Sequence, residues 1–385
     1  MGEPETASEE HRGDPRPAVE AACHDCLRRC WLLGELSAVL DCHGRADRRL
    51  LELLALEDGE LLAALGGRRR GELGRGWIEF QPDWLASSER VDRICRHAPG
   101  YPAQLCHPTA PRLVQVKGGL DRLRTLCARP VVAVLGARRP TDYGIELARA
   151  LGRALAASGV TVATLSGGPI ARAAQLGAQE LAGATLILLG DGLGLAPPAA
   201  WRVLLEQVQA TGCVVGELPC EVRGRRWGVA ASVRTLVALG ELCVVVEAEE
   251  TPADLAGARI AQQLGRSLAA FPGRVGSHGS RGSHLLLREG ATLVRDAADV
   301  LEALHEAGGR PQTPAAAASP FPPLDPRLRV VLERVGAGLD TPARLLDGQA
   351  DAGATLQALG ELELMGLLAR GDGGRYVLRA ALPFG

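Results

Sequence analysis

The sequence predicts an α/β protein with a doubly wound, mostly parallel sheet, a helical domain before it and a small separate domain after it. Three observations carry that expectation. Short apolar runs recur between residues 131 and 294, and each leads into an amphipathic helical pattern. The runs are continuous rather than alternating, as expected of strands covered on both faces. A Pro/Ala-rich stretch, GGRPQTPAAAASPFPP (308–323), then separates this region from a last helical segment.

The elements follow in order. Residues 1–20, MGEPETASEEHRGDPRPAVE, are polar and acidic, without the apolar core of a signal peptide, and are expected to be a disordered tail. Residues 21–112 are expected to be a helical domain. WLLGELSAVL and RRLLELLALEDGELLAALGG place Leu at spacings of three and four, and Gly66 and Gly67 mark a stop. In the core, 113–306, the strands are expected at 131–135, 160–165, 184–189, 213–216, 242–248, 268–271 and 291–294, a Rossmann-like arrangement. Residues 307–323 are a linker, and 324–385 fit a winged-helix domain. There DTPARLLDG offers Thr341 as cap and Pro342 as first helical residue, ATLQALGELELMGLLAR continues as a helix, and a GDGG turn between LLAR and RYVLR makes the wing.

Composition narrows the function. The net charge is −2 over 385 residues and Lys117 is the sole lysine, so nearly all positive charge is guanidinium. Arginine grips phosphate with a planar fork. Near-neutrality excludes a globally basic coat, and nucleic-acid binding would need a local patch. No apolar run reaches membrane-spanning length, and scattered cysteines fit a reduced, cytoplasmic protein.

In a parallel sheet the ligand site lies beyond the carboxyl ends of the strands. The first such end reads VVAVLGARRPTDYGIELARALG (131–152). A dinucleotide site wants G-x-G-x-x-G at this turn; here Gly136 is followed by Arg138, Arg139, Thr141 and Gly144. The second end is Ser166-Gly167-Gly168, the fourth Gly216-Glu217-Leu218-Pro219, and the fifth Glu247. The sixth is Gly273-Arg274, leading into Arg281-Gly282. Glycines admit close backbone approach, helix N-termini offer free N–H groups, and several arginines share one edge: an anion-binding rim.

These segments resemble the DNA-processing protein A (DprA/Smf) family. GARRPTDYG is similar to that family's G-S-R-x-x-T-x-Y-G turn and ELP (217–219) to its S-E-x-P. VVVEAEE with ARIAQQLGRSLAAFPG, and then SRGSHLLLREGATLV, match its later motifs in the same order. The resemblance covers about 113–306, and the helical first domain (of the SAM or helix-hairpin-helix kind) and winged-helix tail fit the family's layout. It implies a cytoplasmic protein that binds and protects single-stranded DNA, assists loading of the RecA recombinase in DNA uptake and recombination, and catalyses nothing itself. A homodimer is expected. The DNA- or phosphate-binding residues on this reading are Gly136, Arg138, Arg139, Thr141, Gly144, Ser166, Gly167, Arg225, Arg226, Arg234, Gly273, Arg274, Arg281 and Gly282. Where the family has S-G-x-A-x-G-I-D-x-x-A-H this chain has SGGPIARAAQ, and of the family's R-N-R trio Arg234 alone remains. The upstream run Arg223-Gly224-Arg225-Arg226 is expected to supply the lost charge from a flexible loop.

Two other readings compete. One is a nucleotide-processing enzyme of the phosphoribohydrolase type, although SGGPIA lacks that group's following Glu; the other is an interaction module that has lost DNA binding. Glu217, Glu247, Glu249 and Glu250 are expected to pair with rim arginines or to be solvated, and His278 and His284 to lie on the surface. CHDCLRRC (23–30) has half of a zinc motif in Cys23 and Cys26, with Cys30, Cys42 and His43 as candidate partners. Against that, Cys26 and Cys30 fall one helical turn apart, where cysteine packs as a small apolar residue, and the expectation is no metal and no cofactor. The last helix carries Glu361 and Glu363, with Arg370 near its end, so the final domain is expected to serve packing or protein contacts rather than DNA.

Overall fold

A computed structural model describes residues 20–42, 48–82, 91–107, 109–181, 183–308, 325–336, 339–346, 352–370 and 374–378. Residues 1–19 of the expected tail and 309–323 of the expected linker lie outside the described residues. The chain divides into two compact units, Met1–Pro314 and Ala315–Gly385.

The first unit begins with β1 (Glu20–Ala21), α1 (His24–Glu35), α2 (Ser37–Cys42), α3 (Arg48–Ala55), α4 (Asp58–Leu65) and α5 (Arg70–Ile78). It continues with β2 (Asp92–Cys95), β3 (Leu113–Lys117), α6 (Leu120–Cys127), β4 (Val131–Leu135), α7 (Asp142–Ala157), β5 (Thr161–Leu165), α8 (Pro169–Gln179) and β6 (Thr185–Leu188). Next come α9 (Ala199–Thr211), β7 (Cys213–Gly216), α10 (Arg225–Leu239), β8 (Leu242–Val245), α11 (Pro252–Gln263), β9 (Ser267–Ala270), α12 (Arg281–Arg288), β10 (Thr292–Leu293) and α13 (Ala297–Glu306). The strands form one ten-stranded sheet, ordered β1-β2-β3-β7-β6-β5-β4-β8-β9-β10. From β7 to β10 every pairing is parallel. β3 runs antiparallel to both β2 and β7.

All seven strands expected from the apolar runs are present in the parallel part. All but the exposed edge strand β10 carry buried side chains: in β4, Val132 and Val134 pack with α7, α8 and α13, while Val131 and Ala133 pack with α10 and α11. The chain builds outward from β4 through β5, β6 and β7, then returns to lay β8 on the other side of β4. The reversal falls between β4 and β8, and a doubly wound sheet opens its ligand crevice at that point.

β1 and β2 come from the segment expected to be wholly helical, so a division at 112 runs between two paired strands of one sheet. The early helices do not form a separate core either. Leu32, Leu36, Leu40, Leu61 and Leu65 pack together with Trp227, Ala230 and Ala231 of α10. The Trp227 indole N–H of α10 donates to the Ser37 hydroxyl at 2.9 Å, and further polar contacts hold the early helices to one another. Arg29 pairs with Asp58 at 2.9 Å, and the Trp77 indole N–H donates to the same carboxylate at 2.9 Å.

The second unit has α14 (Pro326–Gly336), α15 (Pro342–Leu346), α16 (Ala352–Leu364) and an antiparallel pair, β11 (Leu368–Arg370) and β12 (Tyr376–Leu378). Its core is Leu328, Val331, Leu345, Leu359, Leu362 and Leu368 with the Tyr376 ring. Glu361 accepts from Arg327 at 3.0 Å and Glu363 from Arg370 at 2.9 Å, so both acidic residues of α16 are paired within the unit. No helix among the described residues is long and apolar enough to cross a membrane.

Candidate nucleic-acid interface

The turn after β4 is pinned from β8 and α11. The Ala137 N–H donates to the Glu247 carbonyl at 2.6 Å, and the Arg138 N–H donates to Asp254 at 3.4 Å. Thr141 caps α7, its hydroxyl oxygen accepting from the Gly144 N–H at 3.2 Å. Gly136 lies against Ile170 of α8. With its backbone held on both sides, the turn leaves the Arg138 and Arg139 side chains exposed to solvent. Among the described residues neither guanidinium has a carboxylate partner.

Thr141 and Gly144 require a correction. The 7% exposed carboxylate of Glu247 accepts from the Thr141 N–H at 2.8 Å and from its hydroxyl at 3.1 Å. A side chain at Gly144 would collide with the same carboxylate, which is why glycine stands there. A protein carboxylate thus already fills the place expected for a phosphate. Glu247 is neither ion-paired to a rim arginine nor solvated; it fastens β8 to the N-terminus of α7.

On the far side of β8, the loop after β9 carries Gly273 and Arg274, and α12 opens with Arg281 and Gly282. Arg274 and Arg281 are exposed and, like the first pair, have no carboxylate partner among the described residues. Gly282 is buried with its N–H donating to the Ala248 carbonyl at 2.9 Å, so its amide is closed to a ligand. His284, expected on the surface, is half-buried with Nε2 3.0 Å from the Gly273 carbonyl oxygen. His278 is exposed, 3.7 Å from Glu249.

On the near side, the Ser166 N–H is used within the sheet by Leu188. Gly167 is exposed at φ +115°, a backbone state that favours glycine, and leads into α8. That helix begins at Pro169 with no side-chain cap, and Arg172 stands exposed in its first turn. Its N-terminus is the open one of the pair flanking β4.

The fourth strand end behaves differently. Arg225 and Arg226 form the first turn of α10 rather than a flexible loop. The Gly224 N–H donates to Asp191 and the Arg226 N–H to Asp41, 2.8 and 2.9 Å away, while both arginine side chains remain exposed. β7 lies three strands from β4, roughly 14 Å at ordinary strand spacing, so these arginines flank the crevice rather than line it. Arg234 corrects the expectation outright. It is 2% exposed and paired with Glu217, which also accepts from the Thr235 hydroxyl at 3.1 Å. This arginine belongs to the core under α10 and presents no charge to a ligand.

Tyr143 was absent from the expected set. It sits in the first turn of α7 beside Arg138 and Arg139, and 60% of it is exposed. In a chain with 3% aromatic residues, an outward ring at the sheet edge is the signal that could have identified it. The candidate zinc partners also change. Cys30 accepts from Gln115 and Cys42 donates to Ala38, whereas Cys23 and Cys26 meet Cys95 and His97; His43 lies outside the described residues.

Comparison with known proteins agrees with the fold. The sequence profile of the family described as DNA recombination-mediator protein A matches residues 92–305. A Mycobacterium tuberculosis protein named as a DNA processing protein, DprA, is 31% identical over 365 residues, spanning 94% of this chain and 88% of its own. Protein Smf of Escherichia coli is 31% identical over 296 residues, spanning 73% of this chain and 76% of its own. The crystal structure of DNA processing protein A from Streptococcus pneumoniae superposes with a TM-score of 0.59 at 22% identity, covering 73% of this chain and 98% of that one.

Proposed function

Since the chain belongs to the DNA recombination-mediator protein A family, we propose that it binds single-stranded DNA along the carboxyl edge of its sheet and performs no chemistry on it. One observation carries the reading. Arg138, Arg139, Arg274 and Arg281 are exposed, without carboxylate partners among the described residues, in the turn after β4, the loop after β9 and the start of α12, on the strands at and next to the reversal between β4 and β8. A guanidinium in that state keeps its donors for phosphate oxygens. The uncapped N-terminus of α8, with Gly167 and Arg172, adds backbone donors and a further charge beside β4. Tyr143 offers a face on which a base can stack, an option that a base paired within duplex does not have.

The acidic groups fit binding rather than catalysis. Glu217 is neutralised by Arg234 in the core, and Glu247 is spent on Thr141. In this reading the bound strand is protected and passed to the RecA recombinase during DNA uptake or recombination, in the cytoplasm, and the working form is a homodimer. The test is fluorescence anisotropy of a labelled single-stranded oligonucleotide with Arg138→Ala and Arg274→Ala. Removing either guanidinium takes away a charge-assisted hydrogen bond to phosphate and should weaken binding about tenfold while the melting temperature stays put. Unchanged dissociation constants in both variants would contradict the assignment.

A further inference from the structure

At the opposite end of the sheet order from the reversal, four ligand-type side chains meet. Cys23 precedes α1, Cys26 lies in its first turn, Cys95 ends β2, and His97 follows two residues later. Their donor atoms all fall within 4.8 Å of one another. His97 Nδ1 is 3.2 Å from Cys23 Sγ and 3.5 Å from Cys26 Sγ, and the Cys23 N–H donates to Cys95 Sγ at 3.4 Å. We propose that Cys23, Cys26, Cys95 and His97 hold one zinc ion as a structural Cys3His site.

The geometry fits. Tetrahedral zinc with Zn–S bonds of about 2.3 Å and Zn–N of about 2.0 Å sets its ligand atoms about 3.5–3.8 Å apart. The observed sulfur-to-nitrogen separations reach that range with a few tenths of an ångström of adjustment. Cys-x-x-Cys at a helix start and Cys-x-His after a strand supply four ligands and leave no open position, which makes the site structural rather than catalytic. Cys30, the nearer cysteine in sequence, is excluded because its sulfur faces Gln115 in the core.

The chemistry of the cluster asks for a cation. Three thiols and an imidazole turned toward one another are the donor set that a divalent zinc ion takes. On binding, the three thiols release their protons to solvent, and the neutral imidazole donates its Nδ1 lone pair. No electron is transferred. Cys26 and Cys95 are buried while His97 is exposed, so the ion enters from the His97 side. Once bound it joins the start of α1 to the end of β2, where β1 pairs with β2 only at Glu20↔Arg93 and Ala21↔Ile94. The expectation of no metal gives way because the missing half of the motif, Cys95-Arg96-His97, lies far along the chain.

The full-length protein, expressed with added zinc and purified reduced without chelators, tests this by elemental analysis and by cobalt exchange. Zinc should be present at one per chain, and cobalt should give thiolate charge-transfer bands with tetrahedral d–d absorption. Cys26→Ser and Cys95→Ser should lose the metal. His97→Ala, at an exposed position that leaves folding intact, should weaken zinc affinity at least about tenfold. Cys30→Ser should retain full stoichiometry. A folded, reduced chain that takes up neither zinc nor cobalt overturns the proposal, as does a His97→Ala protein with undiminished affinity.

Discussion

Arg138, in the turn after β4, and Arg234, within α10, are the same amino acid, and their surroundings give them opposite duties. Arg234 is enclosed and paired with Glu217, so Arg234→Ala leaves an uncompensated carboxylate in the core. Removing one partner of such a pair costs about 3–5 kcal/mol. Urea unfolding should show the loss, with a lower midpoint and an unchanged slope; a variant as stable as the parent would refute the pairing's structural role. Arg138→Ala should show the reverse, full stability with weakened DNA binding, since its backbone, not its side chain, holds the turn. Tyr143 separates stacking from hydrogen bonding. Tyr143→Phe should bind like the parent, and Tyr143→Ala should lose about 1–3 kcal/mol of single-strand affinity in anisotropy titrations. Equal affinity of Tyr143→Ala and the parent would remove the ring from the interface.

The elements were unevenly legible in the sequence. Strands β4 to β9 could be located because a parallel strand buried on both faces must be a continuous apolar run. β2 could not, since DRIC sets two charged residues in four, and Arg93 is buried there by contacts that no local pattern announces. The edge on which the arginines cluster was likewise readable from strand ends, whereas Glu247 as the partner of Thr141 needed the β4–β8 neighbourhood, a fact of topology. Arg225 and Arg226 show the same limit: their charge was readable, their placement in a helix capped by Asp41 was not. Replacing both by Ala should flatten the log–log salt slope of single-strand binding by about 0.7 for each phosphate that they neutralise. A slope identical to the parent's would leave these arginines outside the DNA path. The contact of α7 with α8 is sharper still. A side chain at Gly177 would run into the Arg149 carbonyl, so Gly177→Ala should destabilise by about 1–3 kcal/mol in thermal melts without altering DNA contacts directly. An unchanged melting temperature would mean that the two helices are not so close.

For the whole molecule, charge is the deciding scale. A chain of net charge −2 cannot hold a polyanion by its overall field, so binding has to come from the local edge of the sheet. That edge carries guanidinium groups, backbone donors and an aromatic ring but presents no helix shaped for base edges in a groove, which favours single strands without sequence preference. The measurement that bears most directly on this claim is a gel shift of the full chain with single-stranded and blunt duplex oligonucleotides of equal length across a salt series. Single strands should bind more tightly at every salt, with a log–log slope near −2.8 if all four rim arginines engage phosphate, at about −0.7 each. Equal or tighter binding to the duplex, or no shift of single strands at low salt, would contradict the account.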